Sequence, residues 1–174
     1  MKKKVLKLAL SVLGIGVLVG LDQLTKLWAV NALKNGPVEV IKNVFSFHYV
    51  QNTGMAFGLL ENQQWFFYVM TAIFMVVAAY VLFKTPENKR FLPMNLLMVF
   101  IVAGALGNLI DRVVNQYVVD FLYFKLIDFP VFNVADCYVS VSIILLAIYL
   151  LFFYKDKELA ETYGIRKKEK QVNE

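Results

Sequence analysis

Four uncharged apolar runs divide the chain, and their lengths are typical of membrane-spanning helices. They cover residues 8–21, 65–83, 91–110 and 137–154. The last three each provide about the 20 residues that a helix needs to cross a hydrocarbon core of ~30 Å. The first run reaches that length if Lys7 extends its ammonium group toward water and the helix continues past Asp22. The pattern therefore predicts an all-α polytopic membrane protein with four transmembrane helices.

The overall composition agrees with a membrane protein. Of the 174 residues, 59% are hydrophobic, and the mean hydropathy is +0.60. A soluble domain is less apolar, with about 45–50% apolar residues. No internal repeat, low-complexity tract or linker divides the sequence, so we expect a single domain over residues 1–174.

Lysine and arginine are concentrated in three segments beside the apolar runs. These are the N-terminal segment, residues 84–90 and the tail over residues 155–170. Because positive residues remain on the cytoplasmic side, we expect both termini in the cytoplasm and residues 22–64 and 111–136 outside. The net charge of +5 then reflects topology and anionic lipid, not nucleic acid. The first run resembles a secretory leader, but it lacks a small-x-small cleavage pattern, so we expect an uncleaved helix.

An alternating segment outside the apolar runs predicts a small sheet on the outer surface. Aromatic and polar residues alternate over residues 44–50, as they do in a half-buried strand. His48 is then a strand residue on the polar face. We expect the short segment 55–60 to join the same sheet. Asn52 and Gly54 lie between the two segments, either as turn residues or as residues that face a ligand.

The first helix carries a polar pair beyond its apolar run. Asp22 and Lys26 are four residues apart, so their side chains can form an ion pair on one helical face. Gly36 and Pro37 then end the helix.

The third apolar run ends in polar residues that recur on one helical face. Gly104, Asn108, Asp111 and Arg112 are spaced at i, i+4, i+7 and i+8. One interpretation is structural, with Arg112 offsetting the negative end of the helix dipole and pairing with Asp111. We favour a functional stripe, because Asn108 lies deep enough in an apolar helix to require a polar cavity or a partner.

Two aspartates lie beside the last two apolar runs, Asp120 in "VVDF" and Asp136 in "FNVAD". Asp136 has a structural interpretation, since Asn133 three residues earlier completes a capping box at a helix start. Asp120, in an equally apolar setting, weakens that interpretation. Ionisable groups at a membrane edge are costly unless paired or solvated, so they mark functional sites. Asp128 lies near Pro130 and is interpreted as a solvated loop carboxylate.

Two carboxylates brought together support acid and base chemistry, because both cannot ionise easily. One holds a proton while the other acts as a base, as an aspartyl protease requires. With Cys137 as the single cysteine and His48 as the single histidine, we expect no disulfide, multi-cysteine metal site, zinc protease or Ser-His-Asp triad. Cys137 is interpreted as a small residue at the start of the fourth helix.

Two other functions fit a small polytopic protein with polar membrane residues. A transporter or ion-coupled channel would use them to line a pathway, and an assembly subunit would carry no chemistry. A pathway places charges through the bilayer, whereas residues 96–102 and 141–153 are nearly unbroken apolar. An assembly subunit does not require two isolated acids. A membrane-embedded aspartyl peptidase is therefore the function that we favour.

Five motifs lie in a fixed order between the four apolar runs. They are "LDQLTK" (21–26), "QNTGMAFG" (51–58), "GNLIDRV" (107–113), "VVDF" (118–121) and "FNVAD" (132–136). This ordered set resembles the lipoprotein signal peptidases, the type II signal peptidases of bacteria, over about residues 5–155. Met55 departs from the family, in which Ala is commoner at that position.

The resemblance implies an aspartyl endopeptidase of the bacterial cytoplasmic membrane. Such an enzyme removes signal peptides from diacylglyceryl-modified prolipoproteins, cutting just before the lipidated cysteine. Asp120 and Asp136 match its catalytic pair. Substrate-binding or pair-supporting positions match Asn52, Gly54, Asn108, Arg112 and Asn133, and structural polar support matches Asp22, Lys26 and Asp111.

The resemblance also implies an architecture and a set of partners. We expect a small β-sheet cradle on the outer face, with a short surface helix or lid between residues 115 and 130 that closes over the site. Lipid-modified prolipoproteins and membrane lipid are the implied partners, no metal or organic cofactor is implied, and we expect a monomer. Sensitivity to the cyclic peptide globomycin is implied as well. The tail over residues 156–174 matches no motif, and we expect a charged cytoplasmic helix or a disordered end.

Overall fold

Four long helices make up most of the protein, in a computed structural model that describes residues 2–54 and 63–164. They are α1 (Lys2–Ala32), α2 (Gln64–Lys84), α3 (Leu92–Asn115) and α4 (Val134–Phe152). Each is long and apolar enough to cross a membrane. The four transmembrane helices predicted from the sequence are therefore confirmed, and α1 continues well past Asp22.

Helix α3 is the centre of the bundle. It packs against α1, α2 and α4, and 56% of its most apolar stretch is buried, compared with 11% in each of the other three helices. Met98, Ile101 and Val102 of α3 pack with Ala78 and Leu82 of α2. The outward faces of α1, α2 and α4 are apolar and exposed, as in helices that contact lipid.

Glycine allows α3 to approach α4 closely. A Cβ atom at Gly104 would overlap the carbonyl oxygen of Ala135 and would lie 2.7 Å from Val139 Cγ2. Only a residue without a side chain fits this contact. Small residues serve this purpose widely in helix pairs of membrane proteins. The contact fixes the first turn of α4, which carries Asp136, against α3.

A three-stranded antiparallel sheet lies beside the bundle. Its strands, in spatial order, are β1 (Val38–Ile41), β2 (Phe45–Asn52) and β3 (Val118–Tyr123). The strand predicted over residues 44–50 is confirmed as β2, whereas the segment predicted to join it at 55–60 lies outside the described residues. Strand β2 pairs instead with β1 and β3, and its Val50 lies opposite Asp120.

The burial pattern of β2 differs from the simple alternation in its sequence. Ser46 is 2% exposed, whereas Phe45 and Phe47 are only half-buried. The physical reason is aromatic packing near the end of α1. The Phe47 and Trp28 rings meet edge-on with their centroids 5.1 Å apart, and both rings remain partly exposed. His48 lies in the strand as predicted, but it is half-buried, with its ring 4.7 Å from that of Tyr123.

The connection from α3 to α4 contains a strand as well as a surface helix. Residues 118–123 form β3, an inner part of the site, so this stretch is not part of a covering segment. The short 3₁₀ helix Lys125–Ile127 follows on the surface. Leu126 and Ile127 expose 69% and 68% of their surface, which agrees with a short helix on the outer face of the site.

The first part of the charged tail is helical. Helix α5 (Asp156–Tyr163) packs against the ends of the bundle. The hydroxyl oxygens of Tyr163 and Thr85 lie 2.8 Å apart, and Tyr80 donates a hydrogen bond to the Tyr163 carbonyl at 3.0 Å. The helical alternative for the tail thus holds over these residues, and residues 165–174 lie outside the described part of the chain.

Candidate active site

The two aspartates singled out in the sequence line one cavity, although they lie on different elements. Asp120 is on β3, and Asp136 is in the first turn of α4. The cavity has a volume of about 560 Å³. Four other predicted site residues line the same cavity, namely Asn52, Gly54, Asn108 and Arg112. Cys137, which follows Asp136 in the chain, also lines it. Phe67, Val118, Phe129 and Val141 give the cavity apolar walls.

Asp120 is almost completely enclosed, with 2% of its surface exposed. Asn133 Nδ2 donates to its Oδ1 at 2.6 Å, and Asn52 Nδ2 donates to its Oδ2 at 2.8 Å. Burial, and then the nearby charge of Asp136, raise the pKa of Asp120 to about 7. The two amide donors favour the ionised form, but their effect is smaller than that of burial. Asp120 therefore holds a proton far more readily than an ordinary aspartate.

Asp136 caps the start of α4 and also lines the cavity. Its Oδ2 accepts a hydrogen bond from the backbone N–H of Asn133 at 3.0 Å, and its own N–H donates to Asn133 Oδ1 at 3.0 Å. This reciprocal pair is the predicted capping box. Its other oxygen, Oδ1, accepts from Asn108 Nδ2 at 2.8 Å. The capping box fixes the carboxylate of Asp136, and the side chain of Asn133 also contacts Asp120. The cap therefore holds the two aspartates close to each other.

A buried lysine organises the polar groups behind the aspartates. Lys26 Nζ lies 2.9 Å from Asp22 Oδ2 and 3.0 Å from Asp111 Oδ2, and it donates to Asn108 Oδ1 at 2.9 Å. Asn133 Nδ2 also donates to Asn108 Oδ1, at 3.1 Å. With its oxygen held by two donors, the amide of Asn108 must direct its NH₂ group toward the aspartates. The predicted pair of Asp22 and Lys26 is therefore confirmed.

The two acidic partners of Lys26 also bind backbone groups of the elements that carry the aspartates. Asp22 Oδ1 accepts from the N–H of Ala135 in α4 at 2.9 Å. Asp111 Oδ2 accepts from the N–H of Val119 in β3 at 3.0 Å. Each of these backbone groups directly precedes one of the two aspartates. The ion cluster on α1 and α3 thus sets where both aspartates lie.

Arg112 lies in the last turn of α3 but does not pair with Asp111, so the ion pair in the structural interpretation is wrong. Asp111 is bound to Lys26, and Arg112 instead donates from Nη2 to the Gly54 carbonyl at 3.1 Å. Its guanidinium carbon lies 4.0 Å from the ring centroid of Phe67. Arg112 Nε is buried and has no hydrogen-bond partner among residues 2–54 and 63–164. Arg112 is one of the residues that line the cavity.

Asn52 and Gly54 form the predicted turn and also line the cavity. Asn52 Oδ1 accepts from the N–H of Gly54 at 2.9 Å, which closes a turn of the Asx type. The same amide donates to Asp120, and both residues line the cavity. The turn therefore positions a site residue.

Two contributors were missed in the sequence. Gln23 donates from Nε2 to Asp111 Oδ1 at 2.9 Å and to the Gly107 carbonyl at 3.1 Å. A Cβ atom at Gly107 would lie 2.5 Å from Asp22 Oδ2, so this glycine admits the carboxylate. Both residues belong to motifs quoted above, and only their neighbours Asp22 and Asn108 were selected there.

Asp128 lies away from the cavity. It is exposed, and Tyr123 donates a hydrogen bond to its Oδ1 at 2.6 Å. The loop interpretation of this carboxylate is confirmed. In the described part of the chain, no group of three or more His, Cys, Asp and Glu side chains is arranged to hold a metal ion.

Fold and site together define a class. The protein is a multi-pass membrane protein in which a buried carboxylate and a partly buried one, with asparagine, lysine and arginine groups around them, line a cavity at one end of the bundle. Residues 14–152 match the family described as Signal peptidase (SPase) II. The chain belongs to the signal peptidase II family and is therefore a membrane peptidase.

Curated relatives and solved structures agree with this assignment. The chain is 44% identical over 145 residues to the lipoprotein signal peptidase of Clostridioides difficile (strain 630), which covers 83% of this chain and 96% of that protein. The corresponding protein of Streptococcus pyogenes serotype M5 (strain Manfredo) is 42% identical over 146 residues, covering 83% and 95%.

Two bacterial membrane enzymes solved by the in meso method have similar folds. The structure at 2.3 Å resolution gives a TM-score of 0.74 with 33% identity, and the match covers 92% of this chain and 94% of that one. The structure at 1.9 Å resolution gives 0.74 with 34% identity, covering 84% and 95%.

Proposed function

We propose that this peptidase is an aspartyl endopeptidase in which Asp120 and Asp136 form the catalytic pair. The observation that carries the proposal is their shared contact with Asn133 at one cavity. Asn133 donates to Asp120 through its side chain and to Asp136 through its backbone. Two carboxylates held in this way divide the work of acid and base.

The raised pKa of Asp120 supports an assignment of roles. With a pKa of about 7, Asp120 carries a proton in about half of the molecules at neutral pH and in most of them below it. Asp136 then takes a proton from water as the water oxygen attacks the scissile carbonyl carbon. Asp120 donates a hydrogen bond to the developing oxyanion. As the C–N bond breaks, the proton now on Asp136 passes to the leaving amine, which leaves Asp120 protonated and Asp136 ionised as at the start.

We propose diacylglyceryl-modified prolipoproteins as substrates, cut just before the lipidated cysteine. The relatives that match this chain are lipoprotein signal peptidases. The cavity is lined by residues of α2, α3, β3 and α4, including the apolar Phe67, Val118 and Val141, which suits a substrate that arrives with lipid chains. A precursor that is already anchored in the bilayer reaches the site at high effective concentration.

The same proposal includes a location and an oligomeric state. The basic segments support cytoplasmic N- and C-termini in the bacterial cytoplasmic membrane, with the aspartates near the outer face. The aspartates and all their hydrogen-bond partners named above come from one chain. We propose that the enzyme acts as a monomer.

An assay of the purified protein on two forms of one precursor tests the proposal. We expect cleavage of the diacylglyceryl-modified form before its modified cysteine, little cleavage of the unmodified form, and full activity in EDTA. The Cys137→Ala variant should also remain active, because water is the nucleophile. Cys137 lines the cavity, so a thiol reagent that blocks the parent protein but not this variant acts by filling space. Loss of activity in EDTA with recovery on adding zinc contradicts the aspartyl mechanism.

A further inference from the structure

A second cavity lies between α1 and the start of α3. Its volume is about 450 Å³, and along α1 it extends from Lys3 to Gly14. The ion cluster behind the aspartates lies further along the same helix, at Asp22 and Lys26. The two cavities have no lining residue in common. The second cavity is therefore at the opposite end of the bundle from the candidate active site.

The walls of the second cavity are apolar and open to the surroundings of the bundle. Leu6 and Leu10 of α1 are 59% and 58% exposed, and Leu92 and Leu96 of α3 are each 51% exposed. From Lys3 to Gly14, α1 rises about 16 Å. That length is about half of a hydrocarbon core of ~30 Å, or one leaflet. The walls thus match one acyl chain of a lipid in length and chemistry.

The rim of the cavity is predominantly basic. Lys3, Lys7 and Lys89 line it together with one acid, Glu87. Lys7 Nζ is held at the rim because it donates to two carbonyl groups at the end of α2, at 2.6 Å and 2.5 Å. Lys3 and Lys89 are exposed. Three lysines against one glutamate favour an anionic occupant and oppose a basic peptide, including the basic tail of this chain.

One residue of the cavity lining, Asn95, carries a buried acceptor atom that has no donor among the described residues. Asn95 is 7% exposed, and its Nδ2 donates to the Pro86 carbonyl at 3.3 Å. Its Oδ1 is buried and has no hydrogen-bond partner in the described part of the chain. Buried polar atoms are nearly always hydrogen-bonded in folded proteins. Ser11, 8% exposed, adds a hydroxyl group to the lining.

We propose that this cavity binds an anionic glycerophospholipid whose headgroup carries hydroxyl groups. The phosphate lies between Lys3 and Lys89, a headgroup hydroxyl donates to Asn95 Oδ1, and one acyl chain lies along Leu10 and Leu96. The basic rim fits the phosphate, and the apolar walls fit the acyl chain. The unsatisfied acceptor fits a headgroup hydroxyl.

Selectivity between two lipids tests the charged part of the site. The purified full chain is offered phosphatidylglycerol and phosphatidylcholine with identical acyl chains, and bound lipid is counted by native mass spectrometry. We expect at least about fivefold preference for phosphatidylglycerol, and loss of that preference in the double variant Lys3→Gln, Lys89→Gln. The matched control, Lys34→Gln with Lys42→Gln, changes two exposed lysines away from the cavity and should keep the preference. No preference in the parent protein, or an equal loss in the control, contradicts the proposal.

Photo-crosslinking locates the bound lipid without any variant. Phosphatidylglycerol with a diazirine in one acyl chain should label mainly residues 6–14 and 92–99. Even labelling over α2 and α4 would show general surface binding and would overturn the site.

The contribution of Asn95 is tested with phosphatidylmethanol, which has one negative charge and no headgroup hydroxyl. The parent protein should prefer phosphatidylglycerol over phosphatidylmethanol by about threefold or more, as one neutral hydrogen bond allows. Asn95→Leu should bind the two lipids equally. Equal binding by the parent protein contradicts the hydroxyl contact even if the variant fails to fold.

Discussion

At the scale of single residues, the environment of Asp120 has a direct consequence for the pH dependence of activity. Its pKa is raised to about 7 by burial and by the charge of Asp136. Above that pH Asp120 is ionised and no longer serves as the acid of the pair. We therefore expect kcat/KM on a lipidated precursor to fall on the alkaline side with an apparent pKa of about 7. A rate that stays constant from about pH 6 to 9 contradicts the assignment of the proton to Asp120.

The same carboxyl links pH to stability. Because the pKa is raised from 3.8 to about 7, the folded chain binds this proton more tightly than the unfolded chain. The free energy of unfolding should decrease as pH rises across that window, by at most about 4 kcal/mol. In Asp120→Asn this part of the pH dependence should disappear, which thermal unfolding at acidic and alkaline pH can measure.

Arg112 provides a second prediction at this scale. Its guanidinium group donates to the Gly54 carbonyl and covers the Phe67 ring, and its buried Nε has no partner among the described residues. Lysine keeps the charge but cannot reproduce a planar group with several donors. We expect Arg112→Lys to lower kcat/KM by about tenfold or more, equivalent to about 1.4 kcal/mol of lost transition-state stabilisation. Unchanged kinetics together with a lowered melting temperature would show that Arg112 has only a structural role.

At the scale of elements, the ion cluster around Lys26 connects the helices and the strand that carry the aspartates. Asp22 holds the N–H that precedes Asp136, and Asp111 holds the N–H that precedes Asp120. A cluster of this kind depends on complete pairing, because a buried charge without its partner is strongly destabilising. The ion cluster on α1 and α3 therefore fixes the positions of β3 and α4, and with them the positions of the two aspartates.

Gly107 tests this dependence. A Cβ atom there would lie 2.5 Å from Asp22 Oδ2 and 3.4 Å from Ala135 Cβ, so Gly107→Ala should displace the carboxylate that holds the start of α4. We expect a loss of about 1–3 kcal/mol in unfolding free energy, together with lower activity.

The matched control for Gly107 is Gly20→Ala. Gly20 is also in a transmembrane helix, but a Cβ atom there has nothing within 4 Å. Alanine favours a helix over glycine by up to about 1 kcal/mol, so this variant should be as stable as the parent protein or more stable. Equal thermal unfolding and equal activity in the two variants would contradict the role of close packing at Gly107.

Local features of the chain were predicted well, and distant contacts were not. Hydropathy located the four helices, and the i, i+4 spacing identified the pair of Asp22 and Lys26. Lys26 also binds Asn108, which is 82 residues further along the chain. No local sequence pattern predicts a contact over that separation. Strand β3 was missed because "VVDFLY" is buried over most of its length and shows no alternation.

The pairing of Arg112 with Asp111 was wrong for a related reason. Adjacent residues on a helix point in different directions, so Asp111 faces Lys26 of α1 while Arg112 faces the turn at Gly54. The capping box at Asn133 was recognised, and the structure shows that capping and contact with the second aspartate use the same side chain.

At the scale of the whole molecule, the polar groups of the bundle are divided between its two ends. The aspartates, Lys26 and Arg112 lie at one end, and a basic rim lies at the other. The proposed orientation puts the aspartates outside. A reporter fused after Lys89 should then report the cytoplasm, and one inserted near Asn43 should report the outer side. The reverse result would put the aspartates on the wrong face for exported precursors.

The central claim is that Asp120 and Asp136 perform the cleavage, and replacing each of them separately by asparagine tests it most directly. Asparagine has nearly the same volume but cannot ionise, and Asp128→Asn is the control because Asp128 is exposed and lies outside the cavity. Each protein is purified, its folding is checked by thermal unfolding, and cleavage of the lipidated precursor is measured. We expect folded but inactive Asp120→Asn and Asp136→Asn proteins and an Asp128→Asn protein with most of its activity. Normal cleavage by either of the first two variants, or an inactive Asp128→Asn beside an active Asp120→Asn, would contradict the account.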